Sequence, residues 1–209
     1  MLHKLYRGKT KMNTIMETNS SRSKRKKYVA FAIIVVGVIC IILLIIFAFT
    51  SNQHTDTVDI SSFPTFDITS SNLNDGKWDE IITNTDKGEN KSPQLTWDAV
   101  DGAAKYVVIM VDPDGNNWLH WEVVTDKTYL EMGEYSGKSD GYVGPYPPTG
   151  THQYIVYVFA LAGEPYGLNE KIDSSGADIE KIAVELNGSQ ETGEDNILAI
   201  GKLSGTYSK

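Results

Sequence analysis

The chain has 209 residues, room for one ordinary domain with additions, and a formal charge of −8. That charge is uneven: residues 1–27 hold nine Lys and Arg against one acid, Glu17, which leaves 10 bases against 26 acids, about −16, on residues 28–209. So acidic a body excludes nucleic acid as a partner, and with one cysteine in the whole chain, Cys40, disulfides are excluded throughout and zinc–thiolate sites and cysteine catalysis from the main body.

In chain order the first element is the basic tail, residues 1–27, which closes on Arg25, Lys26 and Lys27. Residues 28–49 carry no charge and consist mostly of Ile, Val, Leu, Ala and Phe. About 22 residues at ~1.5 Å rise reach across a hydrocarbon core of ~30 Å. The run is longer than a signal-peptide core and ends in Phe49 and Thr50, a poor cleavage site, so it predicts an uncleaved signal anchor. Bases next to it place the N-terminus in the cytoplasm and the rest outside a cell membrane. Ile39 before Cys40 argues against lipid attachment there. Residues 50–62 are polar and aperiodic, a linker. A folded domain is expected over residues 63–209.

Strand-like runs dominate that domain. Short alternating runs occur at residues 66–69, 80–83 and 94–97. Residues 105–111 (KYVVIMV) are apolar on both faces and predict a central strand. Residues 118–124 alternate, with Trp118, His120 and Glu122 on one face and Leu119, Trp121 and Val123 on the other. Residues 154–161 are again apolar on both sides. Helical spacing appears late, over residues 177–186 with Ser175 as a cap and Gly188 as a stop, and a further turn or two is expected at residues 194–199. Residues 203–207 read as a closing strand or extended tail. The class is mainly β with one or two peripheral helices.

The stretch that organises this domain is residues 141–154, GYVGPYPPTGTHQY. Proline fixes φ and glycine opens backbone angles closed to other residues, so this run is a stiff irregular loop. It feeds straight into an apolar strand and holds His152 at a fixed place. Two further polar sites stand at strand ends: Asp112 and Asp114 in DPD after residues 105–111, and His120 inside WLHWEVV. Imidazoles can donate to an anion, a glycine lets backbone N–H groups approach, and an aspartate can orient a histidine. Without more, His120 between two tryptophans reads first as a core histidine, and Asp112 and Asp114 as turn formers beside Pro113. Trp97, Tyr106 and Tyr157 are assigned to core packing.

DPD, then a His-aromatic pair on a Val-rich strand, then G-P-x-P-P-x-G-x-H-x-Y before an apolar strand resembles the phosphatidylethanolamine-binding protein family. SPQLTW at residues 92–97 is similar to an earlier block of that family, and LSGTYSK to the ending of its bacterial, Raf kinase inhibitor-like branch. The resemblance implies two antiparallel sheets with flanking helices and a small pocket for an anion or phospholipid headgroup. It implies Asp112, His120, Gly144, Pro147, His152 and Tyr154 as pocket residues, with Tyr146 added here. DPD continues as Gly115 and Asn116 rather than Ala-Pro, Gln153 replaces an arginine, and Tyr146 stands where relatives carry a small residue.

Gly137, Lys138, Ser139, Asp140 and Gly141 match G-x-S-x-G, but no apolar strand precedes the serine and no helix follows it, so a hydrolase is not expected. His120, His152 and Asp112 could in principle ligate a metal. The reading adopted needs neither enzyme activity, cofactor nor metal: an anchored bacterial protein that binds a small anion or headgroup, or, alternatively, an inhibitor or regulatory partner of an extracytoplasmic protease or other protein.

Overall fold

A computed structural model describes residues 41, 58–165, 168, 171–188 and 195–209. The expected anchor at 28–49 lies outside the described residues apart from Ile41, and among the described residues no helix is long and apolar enough to cross a membrane.

The apolar runs become long strands. Lys105–Asp112 (β6), Trp118–Thr125 (β7), Thr151–Leu161 (β9) and Ile197–Ser208 (β10) form the middle and one edge of a seven-stranded sheet. Shorter strands precede them: Thr65–Phe66 (β1), Ile68–Thr69 (β2), Leu73–Asn74 (β3), Lys77–Trp78 (β4) and Leu95–Trp97 (β5), with Tyr129–Leu130 (β8) after β7. The sheet order is β3-β4-β10-β9-β6-β7, and β1 shares with β4 the far side of β10. β2, β5 and β8 make a second, three-stranded sheet. The expected purely antiparallel pairing needs correction, because β1 and β4 both run parallel to β10.

Alternation along β6 and β9 builds two cores. Tyr106, Val108 and Met110 with Val156 and Val158 face the second sheet through Ile68, Leu95, Trp97 and Leu130. Val107, Ile109 and Val111 with Tyr157 and Phe159 face the helix Ile179–Asn187 (α1) through Ile182, Ala183 and Leu186. Trp97 and Tyr106 meet edge to face, centroids 5.4 Å apart, as core residues.

Three local expectations are overturned. Residues 80–83 hold a 3-10 turn at Glu80–Ile82 rather than a strand, closed by Thr83, whose backbone N–H and hydroxyl both donate to the Glu80 carbonyl. Of the further turn expected at residues 194–199, the described residues 195–199 are not helical: β10 already begins at Ile197, opposite Leu161, because pairing along β9 outweighs local helical spacing. The cap of α1 is Asp178, not Ser175. The Asp178 carboxylate accepts from the N–H groups of Glu180 and Lys181, both at 3.1 Å. Asp178→Ala is expected to cost about 1 kcal/mol, read as a lower midpoint in chemical denaturation with an unchanged slope.

The third correction concerns β7. Met110 pairs with Trp121 but Val111 pairs with Leu119, so His120 is the extra residue of a β-bulge. The bulge breaks the alternation: Trp121 joins the inter-sheet core while Leu119 joins the helix-side core.

Candidate functional site

Antiparallel pairing puts the end of β6 beside the beginnings of β7 and β9. Asp112 stands opposite Trp118, and Val111 opposite Ile155. The loop at residues 143–148 folds over the same end. Between them lies a cavity of about 510 Å³ lined by Asp112, His120, Gly144, Tyr146 and His152 among the expected residues. Pro147 is buried behind the loop, and it is Pro148 that faces the cavity. Tyr154 is fully buried and backs the site rather than lining it. Its ring meets His120 edge to face at 5.3 Å and stacks on His152 at 6.5 Å.

The two histidines are held by similar means. His120 Nδ1 lies 2.7 Å from the Val143 carbonyl oxygen, and the Val143 N–H donates back to the His120 carbonyl at 2.8 Å. A carbonyl only accepts, so Nδ1 carries the proton and Nε2 the lone pair. His152 Nδ1 lies 2.7 Å from Asp112 Oδ2, and the carboxylate again fixes the proton on Nδ1. The other oxygen, Asp112 Oδ1, accepts from the Gly115 N–H at 2.7 Å. A Cβ on residue 115 would stand 2.9 Å from Asp112 Oδ2, so glycine here leaves that carboxylate undisturbed.

Burial pushes the pKa of His120 down, with the Val143 carbonyl and the Asp112 charge opposing it. The Tyr154 hydroxyl is pushed far up, by burial first and then by the neighbouring Asp112 carboxylate.

These bonds correct the expected chemistry. In their neutral forms both imidazoles direct N–H inward and offer a lone pair at Nε2, so each donates to an anion only after taking up a proton. Nor does Gly144 offer its N–H to a ligand, because that group donates to Asn90 Oδ1 at 2.7 Å. Glycine is required there for another reason: a Cβ would lie 2.0 Å from the Ile82 carbonyl oxygen. The same segment accepts from the Tyr142 hydroxyl, 2.7 Å from Ile82 O, and donates from the Asn84 N–H to the Pro145 carbonyl at 3.0 Å. The Gly/Pro loop is thus clamped on residues 82–90. Tyr146 stands at the mouth, 48% exposed, and does not close it.

Sequence reasoning missed the Val143 carbonyl, Asn84, Asn90, Trp118 and Asp173, although Asn90 sits two residues before the SPQLTW block that drew attention. Asp114 lines the cavity and accepts from the Gln153 N–H at 2.8 Å, and Asp173 is paired with Lys138 at 3.2 Å. Among the described residues, no lysine or arginine lines the cavity. Ser139 lies in an exposed 3-10 turn, Lys138–Asp140, without the strand-to-helix setting of a nucleophile elbow. Among the described residues no group of three or more His, Cys, Asp and Glu could hold a metal ion.

Known proteins resemble this chain in sequence and share its fold. The sequence profile described as phosphatidylethanolamine-binding protein matches residues 69–208, and the chain belongs to that family. A UPF0098 protein of Methanothermobacter thermautotrophicus is 38% identical over 94 residues, 35% of this chain and 62% of the relative. The UPF0098 protein YbhB of Escherichia coli is 39% identical over 113 residues, 43% of this chain and 70% of YbhB. The matched part therefore falls short of two thirds of the archaeal protein's length. The crystal structure of E. coli YbcL, described as a new member of the mammalian PEBP family, superposes with a TM-score of 0.52 at 26% identity, covering 69% of this chain and 98% of YbcL.

Proposed function

We propose that the domain binds a small anion, or the phosphate of a phospholipid headgroup, at the two imidazoles, without catalysis. The observation that carries this reading is that His120 and His152, 32 positions apart in sequence, line one cavity and are each held through Nδ1 by a partner at 2.7 Å. Among the described residues no serine, threonine, cysteine or lysine lines the cavity, and the reading assigns no nucleophile. The chain is tethered to a bacterial cell membrane by residues 28–49 with its N-terminus inside, a placement that rests on the apolar run and the basic tail.

Titration with phosphate and phosphoethanolamine, followed by NMR of the imidazole protons, tests the site: both histidines are expected to shift, and unmoved signals at millimolar ligand contradict it. The proton requirement gives a second test. Sulfate does not titrate near neutrality, so any proton taken up on binding belongs to the protein. Because burial lowers the pKa of His120 below its usual 6.5 and a bound anion raises it, sulfate affinity is expected to fall as pH climbs from about 5 to about 8. An affinity flat across that range contradicts the role given to the imidazoles.

A further inference from the structure

The inner end of the cavity holds the two imidazoles, but its mouth carries a separate polar pair that the anion site does not use. Tyr146 lines the cavity and is 48% exposed. Lys209 Nζ lies 3.1 Å from its hydroxyl and 4.3 Å from the centre of its ring. The backbone places this lysine firmly. Ser208 pairs with Thr151 and Tyr207 with His152, and the Lys209 N–H donates to the Gly150 carbonyl at 3.2 Å. The end of β10 is thereby fixed beside the start of β9, the strand that carries His152.

Two lysines reach lining residues, and their circumstances differ. Lys138 is neutralised by Asp173. Lys209 is paired with no Asp or Glu side chain among the described residues, and its side-chain contacts are the face and the oxygen of one phenol. An ammonium donates only, so the Tyr146 oxygen accepts and its own O–H stays available to donate. The mouth therefore offers a hydroxyl donor with a cation beside it, and both favour negative charge.

A single phosphate at the imidazoles leaves most of the space empty. The volume of about 510 Å³ lies within the ~300–1,000 Å³ range of pockets that enclose larger organic ligands. We propose that Tyr146 and Lys209 form a second recognition point for a ligand carrying two acidic groups, one seated at the imidazoles and one at the mouth. This rests on the anion-site reading above and narrows it: the ligand class is a phosphate ester bearing a further carboxylate or phosphate, as opposed to a zwitterionic headgroup such as phosphoethanolamine.

The test uses the full chain in an uncharged maltoside detergent, with inorganic phosphate, phosphoethanolamine and 3-phosphoglycerate as probes. In the unmodified protein 3-phosphoglycerate is expected to bind about fivefold more tightly than phosphate, the gain typical of one exposed charge contact. Lys209→Met is expected to remove that difference while leaving phosphate affinity unchanged. Tyr146→Phe, which keeps the ring under the ammonium, is expected to remove part of it. Imidazole shifts that are present but equal in affinity for all three probes overturn the second recognition point and leave the anion site standing. So does a Lys209→Met effect that is the same on phosphate as on 3-phosphoglycerate. If no probe moves the imidazoles, the anion site itself fails and this proposal fails with it.

Discussion

Gly144→Ala is expected to lose roughly 3 kcal/mol of stability and to disorganise the site at a distance. A Cβ at this position would stand 2.0 Å from the Ile82 carbonyl oxygen and 3.0 Å from the Asn84 nitrogen, both backbone atoms that cannot rotate away. Relief requires the Gly/Pro loop to lift from residues 82–90. Lifting it breaks the Gly144–Asn90 bond and moves the adjacent Val143 carbonyl, which holds the His120 ring. Two measurements check this. Chemical denaturation should show the stability loss, and the His120 side-chain nitrogen signals should show the ring released from its single tautomer. A variant of ordinary stability, or one whose His120 remains locked, contradicts the clamp.

Asp112→Ala is expected to cost roughly 2–3 kcal/mol and to abolish anion binding at His152. The carboxylate is nearly buried and uses both oxygens, one on His152 and one on the Gly115 N–H. Removing it leaves the Gly115 N–H with only its longer 3.2 Å bond to the Asp112 carbonyl, and leaves His152 free to change tautomer and rotamer. Asp112→Asn separates the two effects. An amide has one acceptor oxygen, which can still accept from Nδ1 while the Gly115 N–H is left to its 3.2 Å bond to the backbone carbonyl of residue 112. Stability should recover in part, whereas the negative charge that favours a protonated His120 is gone. Anion affinity in Asp112→Asn should therefore stay low while the denaturation midpoint returns toward that of the unmodified chain. Equal recovery of both contradicts an electrostatic role for Asp112.

The strands and the site were legible to different depths. The runs at residues 105–111 and 154–161 are apolar on both faces, and such runs are buried between layers whatever the rest of the chain does. The loop chemistry of residues 141–154 likewise pointed to Gly144 and His152, since few backbones can house so many glycines and prolines. The bulge at His120 could not be read, because it is set by the register of β7 against β6, a fact about two strands and not one. The Val143 carbonyl was invisible for a similar reason: any residue carries a carbonyl, and only the fold says where it points. Pro147 and Pro148 were interchangeable by composition, and the backbone decided between them. Helical spacing was present at residues 194–199, but from Ile197 onward the unpaired side of β9 offered a longer run of backbone bonds and prevailed.

The inward direction of both Nδ1 protons is the part of the site with most consequence. It converts two ready donors into two acceptors that must be charged before they grip an anion, and so couples occupancy to pH.

The most direct measurement is a crystal of the domain soaked in selenate below pH 6, with selenium located by its anomalous scattering. The expected result is one strong peak within hydrogen-bond distance of the Nε2 atoms of both His120 and His152, weakening in crystals held above pH 8. Selenium scattered over surface lysines, with nothing between the two imidazoles at either pH, contradicts anion binding at this cavity.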